Sequence, residues 1–95
     1  LGWYVLGQID FDQGRPLEAL QRVLRPIVFS SQFRMDYLDH CYALAITATV
    51  ALEDWREAQI LLAEMKERGL VWPPAPKLEP YRFYFEEGLP LPAES

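Results

Sequence analysis

The chain has 95 residues, of which 51% are hydrophobic, and a formal net charge of −5. This length fits one domain with one modest core, and the hydrophobic content is too high for a disordered chain. Seven arginines and two lysines are scattered along the chain and form no basic stripe to neutralise a phosphate backbone. We therefore expect no nucleic-acid partner.

The apolar runs and the single cysteine bear on the cellular setting. No apolar run reaches the ~18 residues of a membrane helix, so we expect no membrane partner. No signal peptide is visible, and Cys41 alone cannot form an internal disulfide, which favours a reducing, cytoplasmic compartment. The chain begins at Leu1 without an initiator methionine, as a fragment of a longer protein would.

The first two predicted helices are separated by a glycine. Apolar residues recur at helical spacing over 3–13, which predicts the first helix. Gly14 can adopt a positive φ and end that helix, and Pro16 suits the first turn of the next. Pro26 lies within the apolar stripe of the second helix and has no N–H to donate. We therefore predict a kink or an early stop near residue 25.

A linker over 29–35 precedes a third helix, which we expect to run from Asp36 to about Leu52. Asp36 and Asp39 place negative charge at the helix N-terminus, where the helix dipole favours it. The many small residues of this segment predict a helix that neighbours crowd on both sides.

The fourth helix has the clearest boundaries. Asp54 and Glu57 form a capping-box pattern at its start, and Gly69 can end it, which predicts a helix over 55–68. Its apolar residues predict a buried stripe of Ala58, Leu61, Leu62 and Met65.

The C-terminal part is rich in proline and aromatic residues. Three prolines within 73–76 exclude a helix there; we favour a rigid strap with Trp72 against the core over a docking motif for an aromatic groove. Residues 80–87 fit a short helix and a strand almost equally, and the bounding proline and glycine favour the helix. The aromatic side chains of this segment form either core or an exposed patch. The tail over 89–95 is expected to be loose.

The sequence repeats itself at a spacing of 39 residues. Residues 14–20 read Gly-Arg-Pro-Leu-Glu-Ala-Leu and residues 53–59 read Glu-Asp-Trp-Arg-Glu-Ala-Gln, and both stretches join a first helix to a second. In the same register an aromatic residue recurs at Trp3, Tyr42 and Tyr81. The pattern predicts two helical hairpins and the first helix of a third.

The opening Trp3-Tyr-Val-Leu6-Gly7 resembles the tetratricopeptide repeat family, whose consensus begins W-x2-L-G and places an alanine in the second helix. Ala19 and Ala58 match that alanine. The spacing departs from the family value of about 34 residues. Asp10 stands where the family has tyrosine, and two bulky residues stand where it has small ones: Pro26 and Ile46.

The resemblance implies an all-α fold in which antiparallel helical hairpins stack as a short α-solenoid. One domain would span 1–88, with units at about 2–33 and 36–69 and a partial unit at 78–88. Antiparallel helices approach closely where one presents a small residue, and Gly7 would provide such a contact.

First helices in this family line a concave groove that receives a peptide or a partner helix. The matching positions here are Tyr4, Gln8, Phe11, Asp12, His40, Ala43, Thr47, Val50 and Arg82. They lack a Lys/Asn/Arg cluster that would clamp a terminal carboxylate, so an apolar helix or extended segment is the expected guest, with Tyr4 and Phe11 as anchors. The implied function is a non-catalytic protein-interaction module of the scaffold, chaperone or regulatory type. The alternative is a structural self-association domain that forms a homo-oligomer.

His40 and Cys41 form the one pair that suggests nucleophilic catalysis. Adjacent helical residues point about 100° apart, so the imidazole cannot easily activate the thiol. Asp36 lies one turn before His40 and could orient its ring. One histidine and one cysteine offer no metal-ligand spacing, and the sequence has no glycine-rich phosphate loop. We therefore expect no catalytic residue, no metal and no cofactor.

Ala58→Arg tests the predicted helix pairing. An arginine here would force a charge into the seam between two helices, so the domain is expected to unfold. Circular dichroism on heating measures this as the loss of the cooperative transition. A melting temperature close to that of the wild type would contradict the pairing.

Overall fold

The computed structural model describes residues 2–29, 37–74 and 78–87, and the regular secondary structure within these ranges is entirely helical. The all-α class is therefore confirmed. The helices are α1 (Gly2–Asp12), α2 (Pro16–Val28), α3 (Leu38–Ala51), α4 (Trp55–Glu67) and α5 (Glu79–Glu87). Each of these helices is too short or too polar to cross a bilayer. The predicted linker over 29–35 lies largely outside the described residues, and the predicted tail over 89–95 lies wholly outside them.

α2 continues through Pro26, so the predicted early stop near residue 25 is wrong, while the alternative of a kink there stays a prediction. The proline lies in the last turn, where few backbone hydrogen bonds depend on it. The ring of Pro26 is buried, and the N–H of Phe29 closes the helix by donating to the carbonyl of Arg25 at 3.1 Å. Burial of the apolar ring offsets the one hydrogen bond that proline cannot make.

The boundaries of α4 follow the capping pattern. The side chain of Asp54 accepts a hydrogen bond from the N–H of Glu57 at 3.3 Å, and Gly69 adopts a φ of 73° just beyond the helix. α5 covers 79–87, which confirms the helical alternative for that segment. Local signals were sufficient for both helices because each is bounded by residues with strong backbone preferences.

The two hairpin turns have the same backbone structure, 39 residues apart. Gly14 and Glu53 occupy equivalent positions and both have positive φ, 76° and 58° respectively. The N–H of Gly14 donates to the carbonyl of Phe11 at 3.1 Å, and the N–H of Glu53 donates to that of Val50 at 3.0 Å. In each turn the next N–H donates at 2.9 Å to a carbonyl five residues earlier. The sequence repeat is therefore also a repeat of backbone structure.

α3 is the centre of the domain. It packs against α2 and α4, and it also contacts α1. Every residue from 41 to 50 is buried. The structure thus confirms that the helix is crowded on more than one side.

α1 approaches its neighbours most closely at Gly7. A Cβ at this position would lie 2.9 Å from Cγ1 of Val23 on α2 and 3.2 Å from Cδ2 of Leu44 on α3, closer than carbon atoms normally pack. The carbonyl oxygen of Ala19 would lie 3.3 Å away. Ala19 is fully buried, and so is Ala58 at the equivalent position of α4. Small residues therefore set the helix separations.

Trp72 holds the segment after α4 against the core. Its side chain is buried, and its indole N–H donates to the carbonyl of Leu78 at 3.0 Å. The rings of Trp72 and Phe85 lie 5.8 Å apart, and the ammonium of Lys66 lies 5.3 Å from the centroid of Phe85. These contacts agree with the strap interpretation. Phe83 on the same helix is exposed, so the aromatic run divides between core and surface.

Glu53→Gly is expected to stabilise the protein by about 0.5–1 kcal/mol, because glycine has no Cβ to oppose the positive φ of this position. Glu53 is exposed, so its side chain contributes few contacts. The matched reverse change, Gly14→Glu, should destabilise by about 1 kcal/mol, since Gly14 is surrounded by open space and only the backbone disfavours a side chain there. Urea unfolding midpoints measure both changes. Shifts in the same direction would contradict the equivalence of the two turns.

Candidate functional site

The groove positions predicted on α1 form a hydrogen-bonded row along the helix. The hydroxyl of Tyr4 donates to Oε1 of Gln8 at 3.3 Å, and Nε2 of Gln8 donates to Oδ1 of Asp12 at 3.2 Å. Their spacing of four residues places the three side chains on one face. Tyr4 and Gln8 are half-buried and Asp12 is exposed, so the row presents a polar edge.

The two predicted anchors are already in contact with the domain. Tyr4 and Phe11 are half-buried and pack against the core cluster. The rings of Tyr4 and His40 meet edge to face with centroids 5.3 Å apart, which joins α1 to α3. An incoming partner would therefore meet only part of each aromatic side chain.

The groove positions predicted on α3 lie inside the protein. Ala43, Thr47 and Val50 are buried, and the hydroxyl of Thr47 donates to the carbonyl of Ala43 at 2.8 Å. In this structure these side chains offer no surface to a partner. Their assignment as partner contacts stays a prediction.

Arg82 is exposed on α5 and forms ion pairs with two glutamates of the same helix. Its Nε lies 2.7 Å from Oε1 of Glu86, and its Nη1 lies 3.4 Å from Oε1 of Glu79. The guanidinium is thus shared between two neighbouring carboxylates. Exposed pairs of this kind contribute little to stability, so Arg82 is available to other contacts at small cost.

A surface that we did not single out from the sequence lies on the other side of α1. Four apolar side chains there are 42–48% exposed, and we call them the outward face: Trp3, Val5, Leu6 and Ile9. α1 is apolar around most of its circumference, so no periodicity separates the outward face from the buried one. One indication of the outward face was present in the sequence: α1 has more apolar residues than one buried side of a helix needs.

The repeat shows how the equivalent face of α3 is used. Thirty-nine residues after the outward face lie four residues that are 0% exposed: Tyr42, Leu44, Ala45 and Ala48. α3 is covered by helices on both sides, including α2 of the preceding hairpin. The outward face of α1 thus occupies the positions of a helix-covered surface, and no other described helix covers it.

A polar rim from α2 borders the outward face at Trp3. The guanidinium carbon of Arg25 lies 5.4 Å from the centroid of the Trp3 ring, a cation–π distance. A pocket of about 310 Å³ opens at this point, and its lining consists of Trp3, Glu18, Gln21, Arg22 and Arg25. Spacings of three and four residues place the α2 members on one side of that helix. The outward face therefore has an edge that is both aromatic and basic.

Asp10 is buried between two arginines of the same hairpin. Nη2 of Arg15 lies 3.0 Å from its Oδ1, and Nε of Arg22 lies 2.5 Å from its Oδ2. Both carboxylate oxygens are therefore bound by charged donors, which is what a buried carboxylate requires. This geometry explains how the chain accommodates an aspartate where the resembled family has tyrosine.

Cys41 is a poor nucleophile in this structure. The thiol is buried, and burial raises its pKa to about 11, so it stays protonated at neutral pH. The ring of His40 pairs with Asp39, with Nδ1 2.9 Å from Oδ1, while the predicted orienting residue Asp36 lies outside the described residues. Within the described ranges, no three His, Cys, Asp or Glu side chains converge as metal ligands would.

Comparison with known proteins adds no relative. No family model, no curated protein and no solved structure gives a significant match to this chain. Membership of the tetratricopeptide repeat family therefore stays a prediction, which rests on residues 3–7 and on the paired alanines. The backbone repeat of the two hairpins is independent of that resemblance.

The buried thiol of Cys41 is expected to make the protein less stable at alkaline pH. In the unfolded chain Cys41 ionises near its ordinary pKa of 9.0, whereas in the folded chain it keeps its proton up to about 11. The resulting stabilisation, about 3 kcal/mol for two pKa units, is fully present below pH 9 and is lost as the pH rises through 11. Between about pH 8 and about pH 11 the free energy of unfolding, measured in urea, should therefore fall less for Cys41→Ser than for the wild type. Equal losses would mean that the thiol does not contribute. Tyr4 and Tyr42, whose pKa values burial also raises, are common to both proteins.

Proposed function

We propose that this protein is a non-catalytic protein-interaction module, of the scaffold, chaperone or regulatory type, that binds one amphipathic partner helix. The binding surface is the outward face of α1. One observation carries the proposal: its four exposed apolar side chains occupy repeat positions that are completely buried on α3. A partner helix would cover these four side chains as neighbouring helices cover their equivalents on α3, where Tyr42 contacts Glu64 of α4 and Leu44 lies against Gly7 of α1.

The concave groove inferred from the family resemblance is a weaker candidate. Three of its predicted residues, Ala43, Thr47 and Val50, are core side chains in this structure. The polar row from Tyr4 to Asp12 and part of the Phe11 ring remain accessible on α1. An apolar guest would gain little there, because the groove has few exposed apolar groups to cover.

The apolar area of the outward face sets the strength of the interaction. Full burial of one large apolar side chain contributes about 1.5–3 kcal/mol, so covering four that are nearly half exposed contributes about 3–5 kcal/mol. Association has its own entropic cost, so this gain alone gives weak binding. Micromolar affinity requires further contacts at the rim.

Self-association is the second candidate. Val71 and Phe83 are exposed on the C-terminal side of the chain, so a second copy could supply apolar side chains to the outward face. The net charge of −5 on each copy opposes this pairing at low salt. We therefore place a distinct helical partner first.

The proposal is tested with a peptide probe based on α2, the helix that lies against α3. The probe is a labelled, stapled copy of residues 15–29, with alanine in place of the inner proline and glutamine in place of its four charged residues. Fluorescence anisotropy should show saturable binding to the wild type. The double variant Val5→Glu/Ile9→Glu should bind at least about tenfold more weakly, since two charges enter the apolar contact.

Ile60→Glu is the matched control, because Ile60 is 49% exposed on α4 and lies outside the outward face. This variant should bind the probe as the wild type does, and circular dichroism should show that all variants keep their helices. Absence of binding to the wild type would refute the proposed function. Light scattering over a hundredfold concentration range identifies the second candidate, since a stable dimer that Val5→Glu/Ile9→Glu dissociates would support self-association instead.

A further inference from the structure

We infer that the partner helix carries acidic side chains along the edge that faces α2, and that Arg25, which lies over the ring of Trp3, binds one of these carboxylates. The inference rests on the proposed function, because it names the chemistry of the partner at the same surface. It follows from the charge, the geometry and the repeat position of the rim.

Arg25 is a cation without a carboxylate partner among the described residues. It is exposed, no carboxylate of those residues lies within salt-bridge distance of it, and its described contact is with the ring of Trp3. A cation–π contact with an aromatic ring leaves the N–H groups of a guanidinium able to donate to a carboxylate. The contact with Trp3 also restricts the side chain before the partner arrives, which lowers the entropic cost of binding.

The rim as a whole is basic in an otherwise acidic protein. Asp10 is shared by Arg15 and Arg22, so two arginines already surround one buried carboxylate. The rim itself holds two arginines, Arg22 and Arg25, against the single carboxylate of Glu18, whereas the chain has a net charge of −5. A local excess of positive charge favours a negatively charged partner surface.

The repeat shows the contrast between the covered and the uncovered hairpin. Trp3 and Arg25 correspond, 39 residues on, to Tyr42 and Glu64. In the inner pair the hydroxyl of Tyr42 donates to the carboxylate of Glu64, and Tyr42 is fully buried. In the outer pair the acid is replaced by an arginine that borders an open pocket. In the second hairpin this pair forms a hydrogen bond within the protein. In the first hairpin Arg25 lines the pocket, and its N–H groups can donate to a partner.

The pocket at Trp3 has room for the end of one acidic side chain. Its volume of about 310 Å³ is at the low end of ligand pockets, and it opens to solvent along α2. Arg22 and Arg25 both belong to its wall, but Nε of Arg22 already binds Asp10, so Arg25 is the guanidinium that an entering carboxylate would meet first. Glu18 lies one turn further along and would repel a second acid at that end. The recognised feature is therefore a single carboxylate, or a pair close together, on the flank of an apolar helix.

A second copy of this chain fits this chemistry less well. The acidic residues of α5 include Glu79 and Glu86, but Arg82 lies beside both of them, so this edge of a second copy would present a cation to Arg25 as well. Two copies would also bring together two net negative charges. A separate acidic helix need not place a cation beside its carboxylates.

The test uses two further versions of the α2-based probe, with glutamate or with lysine in place of the four charged residues of 15–29. The wild type should bind the glutamate peptide about 5- to 10-fold more tightly than the lysine peptide at low salt, and the preference should shrink as salt is added. Arg25→Glu should weaken binding of the glutamate peptide about 3- to 10-fold and should strengthen binding of the lysine peptide. Arg25→Gln should fall between the two.

Arg56→Glu is the matched control, because Arg56 is exposed on α4 and the substitution changes the net charge by the same amount. If Arg56→Glu shifts the affinities as much as Arg25→Glu does, the effect is one of net charge and the inference is wrong. If the glutamate, lysine and glutamine peptides bind equally well, the inference is wrong and the proposed function stands. If none of the three binds the wild type, both are wrong.

Discussion

The close packing around α3 is the constraint on which the rest of the structure depends. Ten consecutive residues of this helix are buried, so other helices must approach it from more than one direction. Such an approach is possible only where side chains are small, as at Gly7 of α1 and at the fully buried Ala19 and Ala58. The two buried threonines, Thr47 and Thr49, bind carbonyls of their own helix and so introduce no unsatisfied hydroxyl. α3 therefore fixes the positions of α1, α2 and α4, and with them the direction of the outward face.

Most of the helix boundaries could be predicted because local chemistry determines them. Asp54 and Glu57 mark the start of α4, and the glycines at 14 and 69 take the positive φ values expected of them. The early stop at Pro26 was wrong because a buried ring in the last turn costs the helix little. Glu53 adopts a positive φ that no sequence rule assigns to glutamate; its equivalence to Gly14 in the repeat was the only clue.

The candidate site was harder to predict because neither of the two first helices separates an apolar face from a polar one. An amphipathic pattern tells which side of a helix is buried, and neither α1 nor α3 has such a pattern. The groove residues transferred from the resemblance to α3 consequently fall in the core, while the exposed apolar side chains lie on α1. The pairing of Asp10 with Arg15 and Arg22 was equally hidden, since it joins residues on two elements that only the folded hairpin brings together.

The positions of the three tryptophans have a consequence for spectroscopy. Indole emission shifts to shorter wavelength when water is removed from around the ring, so each tryptophan reports on its own surroundings. Trp3 is part of the outward face and is partly exposed to water, and Trp55 is half-buried at the start of α4. Trp72 is buried, and its indole N–H donates to the carbonyl of Leu78. The protein thus carries an intrinsic optical reporter, Trp3, at the surface that a partner would cover, and an internal reference, Trp72, in the core.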